Sequence, residues 1–240
     1  MINDRSQHAK AYPFTIPEHS YILGADGVRP FPGALHHKER HPVIASGSNA
    51  SPERLLAKFS DHIELLNDTI PVERAQLHNF DTVYSAHITN YGAIPATLAH
   101  APGTVADVFI TWLTDAQLER MHQTEAVGVN YDYAKLSGIL LLCSCGAGLT
   151  SAYAYISKRG CLNKDAKPVP LAAVYATGRQ WAAMTEAEVL EFARGQIAPA
   201  QGINAFIRKH IDCVDTRAER TQHLSTNALP IGWDSLQVVR

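Results

Sequence analysis

Residues His41–Phe59 read HPVIASGSNASPERLLAKF, and the fold is organised around this stretch. Its apolar start, Val43–Ala45, predicts a short β-strand, and the small polar residues Ser46–Asn49 predict a sharp turn. Ser51 is a suitable N-cap for a helix that has Pro52 at its first position. A strand, a turn and a helix start in this order can present backbone N–H groups to a carboxylate or another oxyanion. A plain tight turn before a helix has the same pattern.

A second stretch, Ala93–Glu125, reads AIPATLAHAPGTVADVFITWLTDAQLERMHQTE. It predicts a strand, a turn at Pro102-Gly103 and an apolar strand rich in β-branched residues. Thr114 and Gln117 have the spacing of a capping box, which predicts the start of a helix. The carboxylate of Glu125 lies at the C-terminal end of that helix. Without other information, Glu125 also fits an exposed surface residue.

Taken together, the two stretches resemble the gamma-glutamylcyclotransferase-like family. In that family a Gly-Ser-Asn loop follows the first strand, and a later helix carries the catalytic Glu. Here the loop is Gly47-Ser48-Asn49 and the helix segment 118–125 reads LERMHQTE. The resemblance covers residues 42–194 and implies that Glu125 is the general acid/base.

Tyrosines extend the resemblance beyond Glu125. Tyr131 lies where relatives carry a Tyr shortly after the catalytic Glu, and Tyr155 matches a pocket-lining Tyr, with Tyr153 as second choice. Each of them could instead pack in the core. The sequence departs from the family at Ser46, where relatives have Tyr, and at Ala126, where they have Gly. The resemblance implies the following substrate-binding residues: Ser46, Gly47, Ser48, Asn49, Tyr131 and Tyr155.

Composition excludes several classes of protein. With 240 residues and 46% hydrophobic content, the chain can bury one large core or two small ones. A net charge of −2 gives no basic excess for nucleic acid. No apolar run reaches the roughly eighteen residues that a membrane helix needs. Four cysteines in a chain of this length do not form a disulfide framework, and the N-terminus lacks a signal-peptide core. We expect a cytoplasmic protein, and the oligomeric state is left open.

We predict an α+β fold, with a small, mostly antiparallel barrel-like sheet and helices packed outside it. The predicted gamma-glutamylcyclotransferase-like domain covers residues 42–211, after an N-terminal extension over 1–41. Residues 212–240 form a C-terminal tail without clear periodicity.

Further along the chain, single residues and spacings set the element boundaries. Pro71 is expected to break the helical pattern that follows Ser51. Residues 82–91 and 168–176 are expected to be extended. Thr185 and Glu188 form a second capping box, which predicts another helix.

Metal and nucleophile sites are weakly supported. Cys143-Ser144-Cys145 could begin a zinc site, but such sites usually have two residues between the ligands and a second pair nearby. The histidine-rich run 36–41 would bind a metal only if the fold brought further ligands to it. No nucleophile elbow, P-loop or Rossmann motif occurs. We therefore expect no stoichiometric zinc and no cofactor.

The resemblance implies a γ-glutamyl amide or peptide as the small-molecule substrate and 5-oxoproline as the product. In that chemistry the α-amine of the substrate attacks its own γ-carbonyl, and one carboxylate can move both protons in turn. Two alternatives remain. Glu125 could activate water in an amide hydrolase of the same fold, or the chain could be a non-catalytic protein that binds a small molecule.

Overall fold

A closed barrel of five strands forms the centre of the computed structural model, which describes residues 4–33 and 39–240. The strands are β3 (His41–Ala45), β4 (Ile70–Tyr84), β5 (Ala96–Leu113), β6 (Tyr131–Cys143) and β7 (Gly148–Ser157). Their order around the barrel is β5-β3-β7-β6-β4, and β4 pairs with β5 to close the ring. Only the β3–β7 pairing among these is parallel. The predicted α+β fold with a mostly antiparallel barrel-like sheet is confirmed.

The two faces of the barrel strands carry separate apolar clusters, because successive side chains of a strand point to opposite faces. Ile44 of β3 belongs to a cluster to which all five strands contribute. Val43 and Ala45 belong to another cluster, in which they pack with Phe59 and Met121 from helical segments outside the sheet. The strand before the loop is thus fixed on both of its faces.

Six α-helices are described in residues 4–33 and 39–240. They are α1 (Arg5–Lys10), α2 (Pro52–Lys58), α3 (Asp115–Thr124), α4 (Glu186–Ile197), α5 (Ile203–Asp212) and α6 (Val214–Ser225). Both predicted capping boxes are present, at Thr114 and at Thr185. Helix α6 lies where no periodicity was predicted. None of the helices in the described part of the chain has both the length and the apolar character needed to cross a membrane.

The terminal segments pack on the barrel. Strand β1 (Tyr21–Gly24) pairs with β4 and with β2 (Gly27–Pro30), and so continues the sheet beyond β4. At the other end of the chain, β11 (Leu236–Val238) pairs with β6. The division into extension, domain and tail stays a prediction. His36 and His37 of the histidine-rich run lie outside the described residues.

Two sequence-based boundaries are wrong. The helical pattern ends before Pro71 as expected, since the 3-10 segment stops at Asn67 and Pro71 lies near the start of β4, where a proline is tolerated. The extended segment predicted over 82–91 ends at Tyr84. The strand predicted over 168–176 is absent from the described chain. In its place are very short strands at its two ends, β9 (Lys167–Pro168), which pairs with β8 (Asn163–Lys164), and β10 (Ala176–Thr177).

The predicted turn at Pro102-Gly103 is a bulge inside one continuous strand. The β4–β5 register changes between His78 and Phe80, which pair with Val105 and His100. Gly103 has a φ of 82°, and its N–H donates to Asn79 Oδ1 at 2.9 Å. A Pro-Gly pair satisfies the geometry of a bulge as well as that of a turn, because glycine adopts positive φ freely.

Candidate active site

A pocket of about 1000 Å³ opens where the loop after β3 meets the end of α3 and helix α6. The pocket brings together residues from the N-terminal segment, the barrel and the C-terminal helices. Among the residues that line it are Tyr12, Ser46, Lys58, His87, Glu125, Arg159 and Arg217. Every residue predicted to bind or convert the substrate lines this pocket: Ser46, Gly47, Ser48, Asn49, Glu125, Tyr131 and Tyr155.

The loop after β3 turns through one short 3-10 turn, Ser48–Ala50, before α2 begins. The N–H of Ala50 donates to Gly47 O at 3.0 Å, and the N–H of Ser51 donates to Ser48 O at 3.0 Å. These amides are used inside the turn, and the Ser48 amide is directed to Tyr12, so any anion-binding role falls to the amides of Gly47 and Asn49. Gly47 has no room for a side chain, since a Cβ there would collide with the hydroxyl of Tyr12.

Tyr12 is a site residue that the sequence-based argument missed. Its buried hydroxyl accepts a hydrogen bond from the N–H of Ala96 at 2.7 Å, and the amide of Ser48 is also directed to it. Burial raises the pKa of Tyr12 well above its usual value, so the hydroxyl keeps its proton. The N-terminal segment thus places a phenol beside the loop. The aromatic residues of that segment were the only sequence signal.

Glu125 is the C-cap of α3, and its N–H donates to Met121 O at 3.0 Å. Its carboxylate Oε1 accepts a hydrogen bond from Asn49 Nδ2 at 2.9 Å and also forms an ion pair with Lys58 Nζ. The Glu125 and Lys58 side chains are only 12% and 14% exposed. No hydrogen bond to Oε2 is found in the described chain, so this oxygen is available to a ligand.

Lys58 was also missed. It lies in the last turn of α2, where a lysine usually only balances the helix dipole, so nothing local marks it as a site residue. Its contact with Glu125 spans 67 residues of sequence. The ammonium and the Asn49 amide hold the same carboxylate oxygen from two sides and thereby fix the orientation of Glu125.

The two predicted tyrosines line the pocket as buried phenols. Tyr131 donates to Ala96 O at 3.2 Å, and the Tyr155 hydroxyl lies 3.0 Å from His122 Nδ1. Burial raises the pKa of both Tyr131 and Tyr155, so both stay protonated. Tyr153, the second choice, is not among the lining residues and stacks on Tyr133 at 4.9 Å between ring centroids.

The pocket has an excess of positive charge among the residues that the structure describes. The basic lining residues are Arg54, Lys58, Arg120, Arg159 and Arg217, and the acidic ones are Glu125 and Glu219. The Arg54 guanidinium lies over the rings of Phe14 and Tyr91, at 4.7 and 5.3 Å from their centroids. The Nε atoms of Arg54 and Arg159 are buried without a hydrogen-bond partner in the described chain. Such a lining suits an anionic ligand.

The Cys143-Ser144-Cys145 segment lies apart from this pocket. Its two sulfurs and a carboxylate oxygen of Glu73 lie within 4.8 Å of one another, one ligand more than the sequence indicated. Burial, with Glu73 as a further cause, raises the pKa of Cys143 to about 12, which disfavours the thiolate that zinc requires. The absence of stoichiometric zinc stays a prediction.

No family model matches the chain, and no curated protein matches it significantly. Solved structures with a similar fold include a gamma-glutamyl cyclotransferase, at 13% identity and a TM-score of 0.38, over 82% of this chain and 92% of that one. An uncharacterized human protein is 14% identical at a TM-score of 0.38, with the same two coverages, 82% and 92%. YkqA from Bacillus subtilis is 13% identical at a TM-score of 0.41, over 82% of this chain and 71% of that one. All three TM-scores lie below 0.5, so the case for a function rests on this chain's own side chains.

Proposed function

We propose that this protein is a gamma-glutamylcyclotransferase-like enzyme, which converts a γ-glutamyl amide or peptide to 5-oxoproline with Glu125 as general acid/base. The observation that carries the proposal is the contact between Asn49 of the loop and the Glu125 carboxylate. The two residues are 76 positions apart in sequence, yet Asn49 Nδ2 lies 2.9 Å from Glu125 Oε1 inside the pocket. This contact supports the proposal, because the resemblance requires the loop and the acid to lie close together.

The geometry of Glu125 suits proton transfer in both directions. Lys58 and Asn49 occupy Oε1, which leaves Oε2 to accept a proton from the α-amine of the substrate. The amine then attacks the γ-carbonyl, and the same oxygen returns the proton to the leaving nitrogen as the C–N bond breaks. Because nucleophile and carbonyl belong to one molecule, pre-orientation by the pocket supplies much of the rate. The reaction requires no metal or organic cofactor.

The positive lining and the loop suit the charge of such a substrate. A γ-glutamyl compound carries an α-carboxylate, and the reaction develops negative charge on the γ-carbonyl oxygen. Backbone amides of Gly47 and Asn49 can donate to one of these groups. The Ser48 amide is directed to the Tyr12 hydroxyl, whose own proton can provide a further donor at the same place. Ser46 takes the position of a tyrosine in relatives, and Tyr12 supplies a phenol near it from another part of the chain.

The test is a panel of substrates followed by mass spectrometry. It contains glutathione, γ-glutamyl dipeptides, γ-glutamyl amines and ureido acids, together with γ-glutamyl compounds acetylated at the α-amine. We expect 5-oxoproline from at least one γ-glutamyl compound and none from its acetylated form, because the amine is the nucleophile.

Other outcomes select the alternatives. Release of free glutamate, with cleavage of the acetylated compound, would mean that water is the nucleophile and that the protein is an amide hydrolase. Saturable binding of γ-glutamyl compounds without any product would mean a non-catalytic binding protein. Either result overturns the cyclisation.

A further inference from the structure

A chain of buried hydrogen bonds leads from the end of β7 to a histidine of the pocket. The N–H of Arg159 donates to Ser157 Oγ at 3.0 Å, and Ser157 Oγ lies 2.6 Å from Ser85 Oγ. Ser85 Oγ in turn lies 2.6 Å from His87 Nδ1. Ser85 is fully buried, and His87 is 1% exposed. Ser157 is also buried, at 7% exposure, so the polar hydrogens of these three side chains are expected to have partners within the protein.

The direction of the chain follows from counting donors. Because Ser157 Oγ accepts from Arg159, its own hydrogen needs an acceptor, and within the described residues the only one at hand is Ser85 Oγ. Ser85 must then donate to His87 Nδ1, which places the imidazole proton on Nε2. The opposite direction would leave the hydroxyl hydrogen of Ser157 without an acceptor.

His87 is neutral and has one donor to offer. Burial, and then the charge of Arg159, lower the pKa of His87 to about 3. No partner for its Nε2 is found in residues 4–33 and 39–240, and the side chain lines the pocket. Arg159 lines the same pocket, and its Nε is also buried without a partner in the described chain. A neutral N–H donor and a guanidinium thus line one pocket, and Arg159 is close enough to His87 to lower its pKa.

We propose that His87 and Arg159 form an anion subsite that binds a carboxylate of the ligand. A carboxylate oxygen accepts the Nε2–H of His87, and the guanidinium of Arg159 supplies charge and further N–H donors. A buried donor without an acceptor, such as the Nε of Arg159, is unfavourable, and a carboxylate bound here can accept its hydrogen bond. The subsite shares no residue with the Glu125–Asn49–Lys58 contact in the same pocket, and only the identity of its carboxylate rests on the proposed function.

Under the proposed function, the carboxylate has two possible sources. It is either the α-carboxylate of the γ-glutamyl unit or the carboxylate of the leaving amino acid. Kinetics with a γ-glutamyl amino acid and with the matching γ-glutamyl amine distinguish them. If Arg159→Gln raises KM for both, the α-carboxylate is bound; if it raises KM for the amino acid alone, the leaving group is bound.

The direct test is independent of turnover and uses glutarate, a simple dicarboxylate, as the probe in calorimetry. Arg159→Gln keeps the backbone N–H that starts the chain, so the histidine stays in place. We expect glutarate affinity to fall by about tenfold or more, as for loss of a charge-assisted hydrogen bond. Lys158→Gln is the matched control, since Lys158 is the exposed neighbour, paired with Asp132 at 3.1 Å, and should bind glutarate as the native chain does. Equal affinity of the Arg159→Gln variant and the native chain would overturn the subsite.

Nitrogen NMR of the imidazole checks the tautomer without any ligand. We expect His87 to carry its proton on Nε2 at pH 7, and a proton on Nδ1 would contradict the direction of the chain. If the substrate panel yields no product but glutarate binding still depends on Arg159, the proposed function fails while the subsite stands. If 5-oxoproline forms but Arg159→Gln changes neither KM nor glutarate binding, the reverse holds.

Discussion

Arg179 and Arg159 carry the same guanidinium group, but Arg179 is paired within the protein and Arg159 faces the pocket. Arg179 donates to both oxygens of Asp81, at 2.8 and 3.0 Å, and to Val174 O at 2.8 Å. The Asp81 side chain is completely buried, so this pair is enclosed by the protein. Arg159 lies on the pocket, and no ion-pair partner for it occurs among the described residues. The difference separates a charge that the fold has neutralised from one that is available to a ligand.

The same contrast holds between carboxylates. Asp81 has both oxygens occupied by one arginine, whereas Glu125 has its two donors on Oε1 and leaves Oε2 open. A fully paired carboxylate stabilises the fold and has no capacity left for chemistry. Removal of Asp81 or its partner should therefore cost stability, and removal of Glu125 should cost activity.

The largest effect is expected on the stability side of this comparison. Arg179→Met leaves Asp81 buried without its partner, which should lower the free energy of unfolding by about 3–5 kcal/mol. Chemical denaturation at pH 7 measures this. Arg29→Met is the control, because its pair with Asp26 is exposed and should contribute about 1 kcal/mol or less. Equal losses in the two variants would show that the Arg179–Asp81 pair is not a major stabilising contact.

Glu125→Gln tests the activity side. Glutamine keeps the shape and the Asn49 contact but cannot accept a proton, so kcat should fall by at least about a hundredfold with an unchanged fold. Glu119→Gln is the matched control from the same helix, since Glu119 is half exposed and paired with Arg240 on the surface. Steady-state kinetics on the best substrate of the panel give the answer. Near-native kcat in the Glu125 variant would exclude Glu125 as the base.

The sequence predicted the parts of this site that are local and missed the parts that depend on distant contacts. The Thr114–Gln117 capping box predicts where α3 starts, and the loop has the residues that a tight turn needs, but the roles of Glu125 and Asn49 came from the family resemblance. Lys58 and Arg159 carry no local signal, because their importance depends on which side chains do or do not lie opposite them.

Element boundaries failed for a related reason. Pro102-Gly103 is equally suited to a turn and to a bulge, and only the pairing of β5 with β4 decides between them. Helix α6 has a highly charged sequence with few apolar positions, so its periodicity was too weak to detect. Leu224 and Thr221 nevertheless bury one side of it, and this burial comes from the tertiary packing.

Two histidines extend the comparison to pH. The imidazole of His210 has both nitrogens occupied: Nδ1 accepts from Arg220 at 3.0 Å, and Nε2 lies 3.1 Å from Gly92 O. Burial lowers the pKa of His210 to about 4, and the charge of Arg220 adds to this. The unfolded chain binds a proton near pH 6.5, and the folded chain does so only near pH 4. Between these values the unfolded state holds more protons, so stability is lost as the pH falls through this window.

His210→Gln should remove part of that acid sensitivity. Each pKa unit corresponds to about 1.4 kcal/mol, so the fall from 6.5 to about 4 is equivalent to roughly 3 kcal/mol. Denaturation curves at several pH values, native chain against variant, measure the difference in slope. A parallel series of denaturation curves should use Arg220→Met, because protonation of His210 at Nδ1 disrupts the hydrogen bond that Arg220 donates to this atom. Identical pH slopes for the native chain and His210→Gln would contradict this origin.

The smallest effect is expected at Ala126, directly after Glu125, where the gamma-glutamylcyclotransferase-like family carries glycine. Ala126 has a φ of 49°, a left-handed conformation in which a Cβ is crowded by the backbone. Ala126→Gly should therefore raise the free energy of unfolding by about 0.5–1 kcal/mol, since relief of the strain exceeds the entropy that glycine gains in the unfolded chain. Ala116→Gly in the first turn of α3 is the control and should lower the free energy of unfolding, because that residue is helical.

The same Ala126→Gly variant tests what orients Glu125. If the Lys58 and Asn49 contacts orient the carboxylate, kcat on the best substrate should stay within about twofold of native. A stabilised variant with a much lower kcat would instead show that the strained backbone at Ala126 holds Glu125 in position.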